Sequence, residues 1–400
     1  MSIISIETVL PAPSRAVYDC FANSGLMRVW FSDGAHTDPR VGGHWHAYWN
    51  NGSWVSGIYS VVEEGHALSF TWCGSGDLAP TQVELNFTED DGGTLLRIVH
   101  HQGAGEGWME AAAGRERAWE AALVNLRYLL QTGIDRRFAL RPMFGFFVGD
   151  NDKERAEKLG VPIHHGVVVD GLPEGSPMAR AGFQVGDVIV QIGSIEVKDY
   201  YAIGRIADTH QAGDTVPVSF YRGPDHKMVE LTLAQRPLPP LPDSVGGVVA
   251  QLQRTASELG GELDEMIGQL PETVLAHRPG EKEWSITDQL AHLIMSDRSL
   301  GWQMWALCGG DGNGTWGGNN EMHLAGLKRV YPTGAEMLAA LKRTFQELIG
   351  TVEAMPQDAQ NNPALFKNAA YILSYFGQHT RSHYDQMRAC IESAHAMHVA

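Results

Sequence analysis

The sequence predicts a multidomain chain: an α+β segment in which one long helix lies across an antiparallel sheet, a small β-rich segment, and an all-α four-helix bundle. Three observations carry this. Period-two apolar stretches fill the first third and end in a long amphipathic stripe, short strand-like runs broken by Gly and Pro occupy the middle, and four amphipathic stretches without strand signal close the chain. At 400 residues the chain also exceeds what one hydrophobic core usually spans.

The first segment, 1–133, reads as a helix, then strands, then a long helix. "GHWHAYW", "SGIYSVV", "ALSFTW", "TQVELNF" and "TLLRIVH" alternate with period two between Gly, Asn and Asp turns. The closing stretch "GRERAWEAALVNLRYLL" sets Trp119, Leu123, Leu126 and Leu130 on one stripe, so this helix has a face to lay on the sheet. His44 and His46 share one face of their strand, which fits either a metal pair or the lining of a cavity. The stretches "APSRAVYDCF", "MRVWFSDG", "DPRVGGHWHAYW" and "DDGGTLLRIVHH", with the closing helix, resemble the START-like (SRPBCC) superfamily in its branch related to the activator of a heat-shock ATPase. That resemblance implies a helix-grip fold whose hydrophobic pocket holds a small apolar ligand, and it names no ligand.

The second segment, 138–236, contains "HHGVVVDGLPEGSPMARAGFQVGDVIVQIGSIEV". It reads as a buried strand, a loop, a short helix begun by Ser176-Pro177 and stopped by Gly182, and a Gly186-Asp187 turn into another strand. This resembles a PDZ domain of the bacterial protease-associated type. The resemblance implies a carboxylate-binding loop at Phe144, Gly145 and Phe146, where Gly lets backbone N–H groups approach a peptide's terminal carboxylate, and protein C-termini as partners. No GxSGG-type nucleophile segment accompanies it.

"RPLPPLPDSVGG" is a semi-rigid linker by composition. The third segment, 241–397, holds the four helical stretches, the last being "LFKNAAYILSYFGQHTRSHYDQMRACIESA". Helical periodicity puts Ile372, Phe376, His379, His383, Met387 and Cys390 on one interior stripe, and Gln386 is read as lying on it too. The spacing alone fits a metal pair or two core histidines. In "EWSITDQLAHLIMSD", Ser285 and Asp288 form a capping box, and His292 points away from the apolar arc of Ile286, Leu290, Leu293 and Ile294. The Trp-Ser-x-x-acid-x-Leu-Ala-His-Leu helix start, paired with the later His-x-x-x-His-x-x-Gln, resembles the DinB superfamily of metal-binding four-helix bundles. That resemblance implies a metal triad at His292, His379 and His383, a zinc or nickel-like divalent ion, and a low-molecular-weight thiol as co-substrate. The Gly-rich "CGGDGNGTWGGNNEMH" follows no strand and lacks Lys-Ser/Thr, so it reads as a rim to that site and not as a phosphate cradle.

The function expected is a metal-dependent thiol S-transferase or hydrolase acting on a small electrophile, fused to ligand-binding and peptide-binding segments. The alternative is a non-catalytic sensor and recruiter with a structural or regulatory metal. A net charge of −17 argues against nucleic acid or an anionic membrane as partner. The first residues lack a leader pattern and no long apolar run occurs, so a cytoplasmic protein is expected. Four scattered cysteines suggest free thiols, and homo-oligomerisation is left open.

Overall fold

The computed structural model describes residues 4–75, 77, 79–101, 108–280, 283–310 and 321–399, and all side chains within them except those of 108–112, 208, 321, 398 and 399. The chain divides into two compact units, Met1–Asp135 with Pro239–Ala400, and Arg136–Leu238.

The first unit opens on a strand where the sequence reading began with a helix. β1 (Ile4–Leu10) precedes α1 (Ser14–Ala22) and α2 (Ser24–Trp30), and then come β2 (Gly34–Thr37), β3 (His44–Tyr48), β4 (Trp54–Glu63), β5 (Ala67–Gly74), β6 (Thr81–Asp90), β7 (Gly93–His101) and α3 (Trp108–Thr132). All pairings are antiparallel in the order β1-β7-β6-β5-β4-β3-β2. β1 closes the far edge in register Ile4↔His100 to Leu10↔Thr94. The inner face and α3 meet through aromatic rings: Trp119 stacks on Phe31 at 6.0 Å and lies 5.4 Å from Trp72, which in turn contacts Trp45 at 5.3 Å. Among them His100 is fully buried, its Nε2 2.7 Å from Thr81 Oγ1. Burial, with Arg115 and His101 nearby, pushes its imidazole down to about 3. His44 and His46, by contrast, stand on the outer exposed face, so they do not line the interior.

The helical part of this unit follows the second unit along the chain. Within the second unit run α4 (Arg136–Ala139), β8 (Pro142–Met143), β9 (Phe147–Asp150), α5 (Lys153–Leu159), β10 (Val167–Gly171), α6 (Pro177–Arg180), β11 (Val188–Ile192), β12 (Ile195–Glu196), α7 (Tyr200–Thr209), β13 (Thr215–Arg222), β14 (Asp225–Thr232) and β15 (Ala234–Gln235). Its main sheet follows β14-β13-β11-β10-β9. Ser176 caps α6 and Pro177 occupies its first turn, as the sequence implied. The buried Asp187 carboxylate, gripped at 2.7 Å by both Nε and Nη2 of Arg222, pins β11 to β13.

Back in the first unit, the helices are α8 (Val245–Ile267), α9 (Glu272–Leu275), α10 (Ile286–Cys308), α11 (Glu321–Val330), α12 (Gly334–Glu353), α13 (Gln357–Asn361), α14 (Pro363–Leu373), α15 (Gln378–Ser382) and α16 (Tyr384–Val399). α10 buries Leu290, Leu293 and Ile294 completely, each worth about 1.5–3 kcal/mol. The last helix of the sequence reading is in fact broken: Gly377 takes φ 86° and separates α14 from α15. Sheet and helices share one hydrophobic core running from Leu10 to Cys390. Polar contacts join them too: Asn368 Nδ2 donates to Gly133 O and Lys367 Nζ to Gln131 O, both at 2.9 Å. Gly133 allows this approach, since a Cβ there would lie 1.9 Å from Lys367 Cβ.

Candidate metal centre

α10 starts at a capping box in which Ser285 Oγ accepts from Asp288 N at 3.1 Å, while Asp288 Oδ2 accepts from Ser285 N at 3.1 Å. Lys328 Nζ at 2.5 Å and Arg278 Nη2 at 2.7 Å also hold this buried carboxylate. Burial raises the Asp288 carboxyl, but Lys328 and Ser285 outweigh it and leave it below the ordinary range. Asp288 therefore fixes the start of α10, and His292 follows one turn later. α15 and the start of α16 are fixed from α8: Arg381 pairs with Glu258 and Glu262, and Tyr384 OH donates to Glu262 Oε2 at 2.7 Å.

These two anchored elements bring the three histidines together. His292 Nε2 lies 3.1 Å from His379 Nε2, which lies 3.3 Å from His383 Nε2, and one ligand atom from each falls within 4.8 Å of the others. The helix break at Gly377 does not scatter the pair, because His383 keeps a right-handed helical backbone at the end of α15. Gln386 Oε1 stands 2.9 Å from His383 Nδ1 and can only accept, which puts that ring's proton on Nδ1 and leaves Nε2 as a lone pair facing inward. Ser296 Oγ, 3.0 Å from His379 Nδ1, can accept in the same way. With their protons on Nδ1, the His379 and His383 Nε2 atoms meet lone pair to lone pair, an arrangement that a shared cation turns from repulsive to attractive. A tetrahedral ion with Zn–N bonds of 2.0–2.1 Å needs nitrogens about 3.3 Å apart, so the donor set fits such an ion.

Burial lowers His379, and burial together with His379 pushes His383 down to about 4 against the opposing contact from Gln386. Both are thus neutral near pH 7, the form a metal takes. The Trp284 ring covers His292 at 5.1 Å. Gln386 is exposed and not on the interior stripe, and only its hydrogen bond makes it part of the site. Ser296 went unnoticed in the sequence, although its position one turn after His292 on the same face was a signal. Asp297, one residue on, is 2% exposed with Oδ2 unpartnered, and burial pushes its carboxyl up to about 7. Most of the Gly-rich rim, 311–320, lies outside the described residues; His323 lies on α11.

In the second unit β9 ends the sheet order, so among the described residues one of its edges pairs with no strand, and α7 packs beside it. Phe144, Gly145 and Phe146 lead into this strand. Phe144 is buried in the core and its O accepts from Met178 N at 3.2 Å, whereas Phe146 is only partly buried. Gly145 has φ 81°, and a Cβ there would lie 2.6 Å from Ser176 Cβ and 2.7 Å from Pro177 Cδ. Glycine is therefore demanded by the loop's own packing against α6. A Gly145→Val substitution would therefore distort the loop itself and not merely block a peptide.

Comparison with known proteins matches three stretches of the chain. Residues 11–131 match the family described as Activator of Hsp90 ATPase homolog 1-like protein, 142–233 match the PDZ domain, and 251–387 match the DinB superfamily. The chain thus carries all three kinds of domain. A "Probable periplasmic serine endoprotease DegP-like" from Marinomonas sp. (strain MWYL1) is 26% identical over 131 residues, covering 33% of this chain and 26% of the relative. "Serine protease Do-like HtrA" from Lactococcus lactis subsp. lactis (strain IL1403) is 31% identical over 101 residues, covering 24% of each. The chain spans about a quarter of the length of these curated relatives. Among solved structures, the Aha1 dimer from Colwellia psychrerythraea is 13% identical with a TM-score of 0.30, covering 34% of this chain and 98% of that one. An HSP90 activator from Plasmodium falciparum is 18% identical with a TM-score of 0.28, covering 33% and 97%. No helix among the described residues is long and apolar enough to cross a membrane.

Proposed function

We propose that the bundle holds one divalent ion, zinc or nickel-like, at His292, His379 and His383, and that the chain is a metal-dependent transferase or hydrolase acting on a small electrophile. The observation that carries this is the convergence of three imidazole Nε2 atoms at 3.1 and 3.3 Å. An ion held by these residues would supply Lewis-acid activation of a thiol or water. The chain's own part is orientation. Gln386 and Ser296 offer acceptors for ring protons on Nδ1 of His383 and His379, the Arg381 and Tyr384 contacts to α8 fix the chain on either side of His383, and the Trp284 ring covers His292 on one side. A low-molecular-weight thiol is the co-substrate in this reading. Metal analysis of purified chain, followed by a thiol-conjugation screen, tests it: stoichiometric metal and conjugation in wild type, with loss of both in His292→Ala, are expected. Full metal occupancy in His292→Ala would refute the triad, and activity surviving metal loss would move the chemistry elsewhere.

The remaining parts fit around this centre, with working segments at 1–133, 138–236 and 241–397. The aromatic interior of Phe31, Trp72 and Trp119 suits a small apolar ligand, and the β9 edge beside α7 suits a protein C-terminus added as a strand. Four free cysteines support a reducing, cytoplasmic setting. One observation favours the non-catalytic alternative: the sheet and the bundle share a core, so a ligand under α3 would press on α14 and through it on the helices of the metal centre. Metal retained without any conjugation or hydrolysis would support that second reading.

A further inference from the structure

The sheet carries a second group of histidines that the bundle chemistry leaves unused. β2 lies at the edge of the seven-stranded sheet, and in its register with β3 His36 stands directly opposite His46. His44 precedes His46 by two residues on the same strand, so it shares that face. All three are exposed on the outer surface. We propose that His36, His44 and His46 form a second, surface site for a divalent transition ion of the zinc, copper or nickel class.

The argument is geometric. Directly opposed residues have Cβ atoms about 4.5–5.5 Å apart, and residues two apart on a strand lie about 7 Å apart on one face. Two histidines from one strand and a third from its antiparallel neighbour therefore surround one point above the sheet, within reach of imidazole rings. Imidazole nitrogen suits this class of ion, and three such ligands leave positions for solvent. Among the described residues only the bundle triad already has its ligand atoms gathered within 4.8 Å. On the sheet the rings reach that spacing by rotation between staggered wells, which exposed side chains are free to make. Tyr48 and Trp54 wall one side, their rings 6.1 and 6.4 Å from that of His46. Asp38 lies next along the ladder, its N–H donating to His44 O at 2.9 Å, but its carboxylate is engaged by Arg40 and is not counted as a ligand. The bundle histidines have Ser296 and Gln386 behind them, and the sheet histidines face solvent. Lacking such support, the sheet site should bind about 10–100-fold more weakly than the triad. An ion there would also staple the edge strand β2 to β3.

The test uses the full chain, stripped of metal and titrated with zinc alone. Wild type is compared with His36→Gln, His46→Gln, the exposed control His66→Gln, and His379→Ala. The expected result is one equivalent fewer in His36→Gln and in His46→Gln than in wild type, no change in His66→Gln, and zinc-induced shifts of the His36, His44 and His46 ring protons that persist in His379→Ala. Unchanged stoichiometry in both sheet variants, with circular dichroism matching wild type, would overturn the proposal. Because His379→Ala is scored separately, failure of the bundle site and failure of the sheet site give different patterns.

Discussion

Ser296→Ala is the substitution that most directly tests whether the triad is built for a metal. Its Oγ lies 3.0 Å from His379 Nδ1, and removing it takes away a hydroxyl that can accept the Nδ1 proton and so hold it off Nε2. Loss of such an outer partner typically costs 10–100-fold in metal affinity, or about 1.4–2.7 kcal/mol. The structure says where in that range each variant should fall. Ser296 is half-buried, so water is a poor substitute and the loss should approach the upper end; Gln386 is exposed, so water can replace its carbonyl and Gln386→Leu should sit near tenfold. Ser296→Thr, which keeps the hydroxyl, should stay close to wild type. The assay is zinc affinity by chelator competition on the metal-stripped chain, with His379→Ala as the limit of full loss. A Ser296→Ala affinity equal to wild type, or a Gln386→Leu loss larger than that of Ser296→Ala, would refute the reasoning.

Asp297→Asn should stabilise the bundle at high pH. The folded carboxyl, at about 7, lies above the unfolded value near 3.9, so stability falls as pH rises from about 4 to about 7, by up to about 4 kcal/mol. Urea unfolding should therefore separate the variant from wild type near pH 8 and not near pH 4; a constant difference across that window would contradict it. Gly377→Ala places a Cβ 2.6 Å from Thr255 Cγ2 at φ 86°, so it should lower the melting temperature by a backbone cost of at least about 1–2 kcal/mol and weaken zinc binding; an unchanged melting temperature would show that the break is not required. Free-acid peptides ending in an apolar residue should bind the second unit and their amidated forms should not, as measured by fluorescence anisotropy, and equal binding would remove the carboxylate from the recognition.

Much of the fold was legible because its elements have simple periods. The strands β3 to β7 and the helices α8, α10 and α12 follow stretches whose apolar residues recur at two or at three and four. β1 carried the same signal in "ISIETVL", with Ile4, Ile6 and Thr8 alternating and Pro11 and Pro13 just beyond it. The break at Gly377 left no such signal. The apolar stripe continues in phase on both sides of it, and only the backbone conformation shows the interruption. The shared core of sheet and bundle was hidden because its contacts, such as Asn368 to Gly133, join residues 235 positions apart and leave no local pattern.

The candidate site divides along the same line. The helix repeat shows that His379 and His383 share a face, and it was the resemblance to DinB-like bundles that joined His292 to them as candidate ligands. What places the rings is mostly elsewhere: Arg381 of α15 and Tyr384 at the start of α16 bind Glu258 and Glu262 of α8, and Lys328 and Arg278 hold the start of α10 through Asp288. These partners are ordinary charged residues with no spacing signature of their own. Their distance from the histidine nitrogens makes them informative, because a purely structural bundle would tolerate loosening of Arg381 at the usual small cost of an exposed ion pair. A centre that needs three nitrogens near 3.3 Å would not: there Arg381→Ala should weaken zinc binding far more than it lowers the melting temperature. Stability and affinity lost in proportion would mean instead that α15 is held by its packing and that the histidines meet only because the core brings them together.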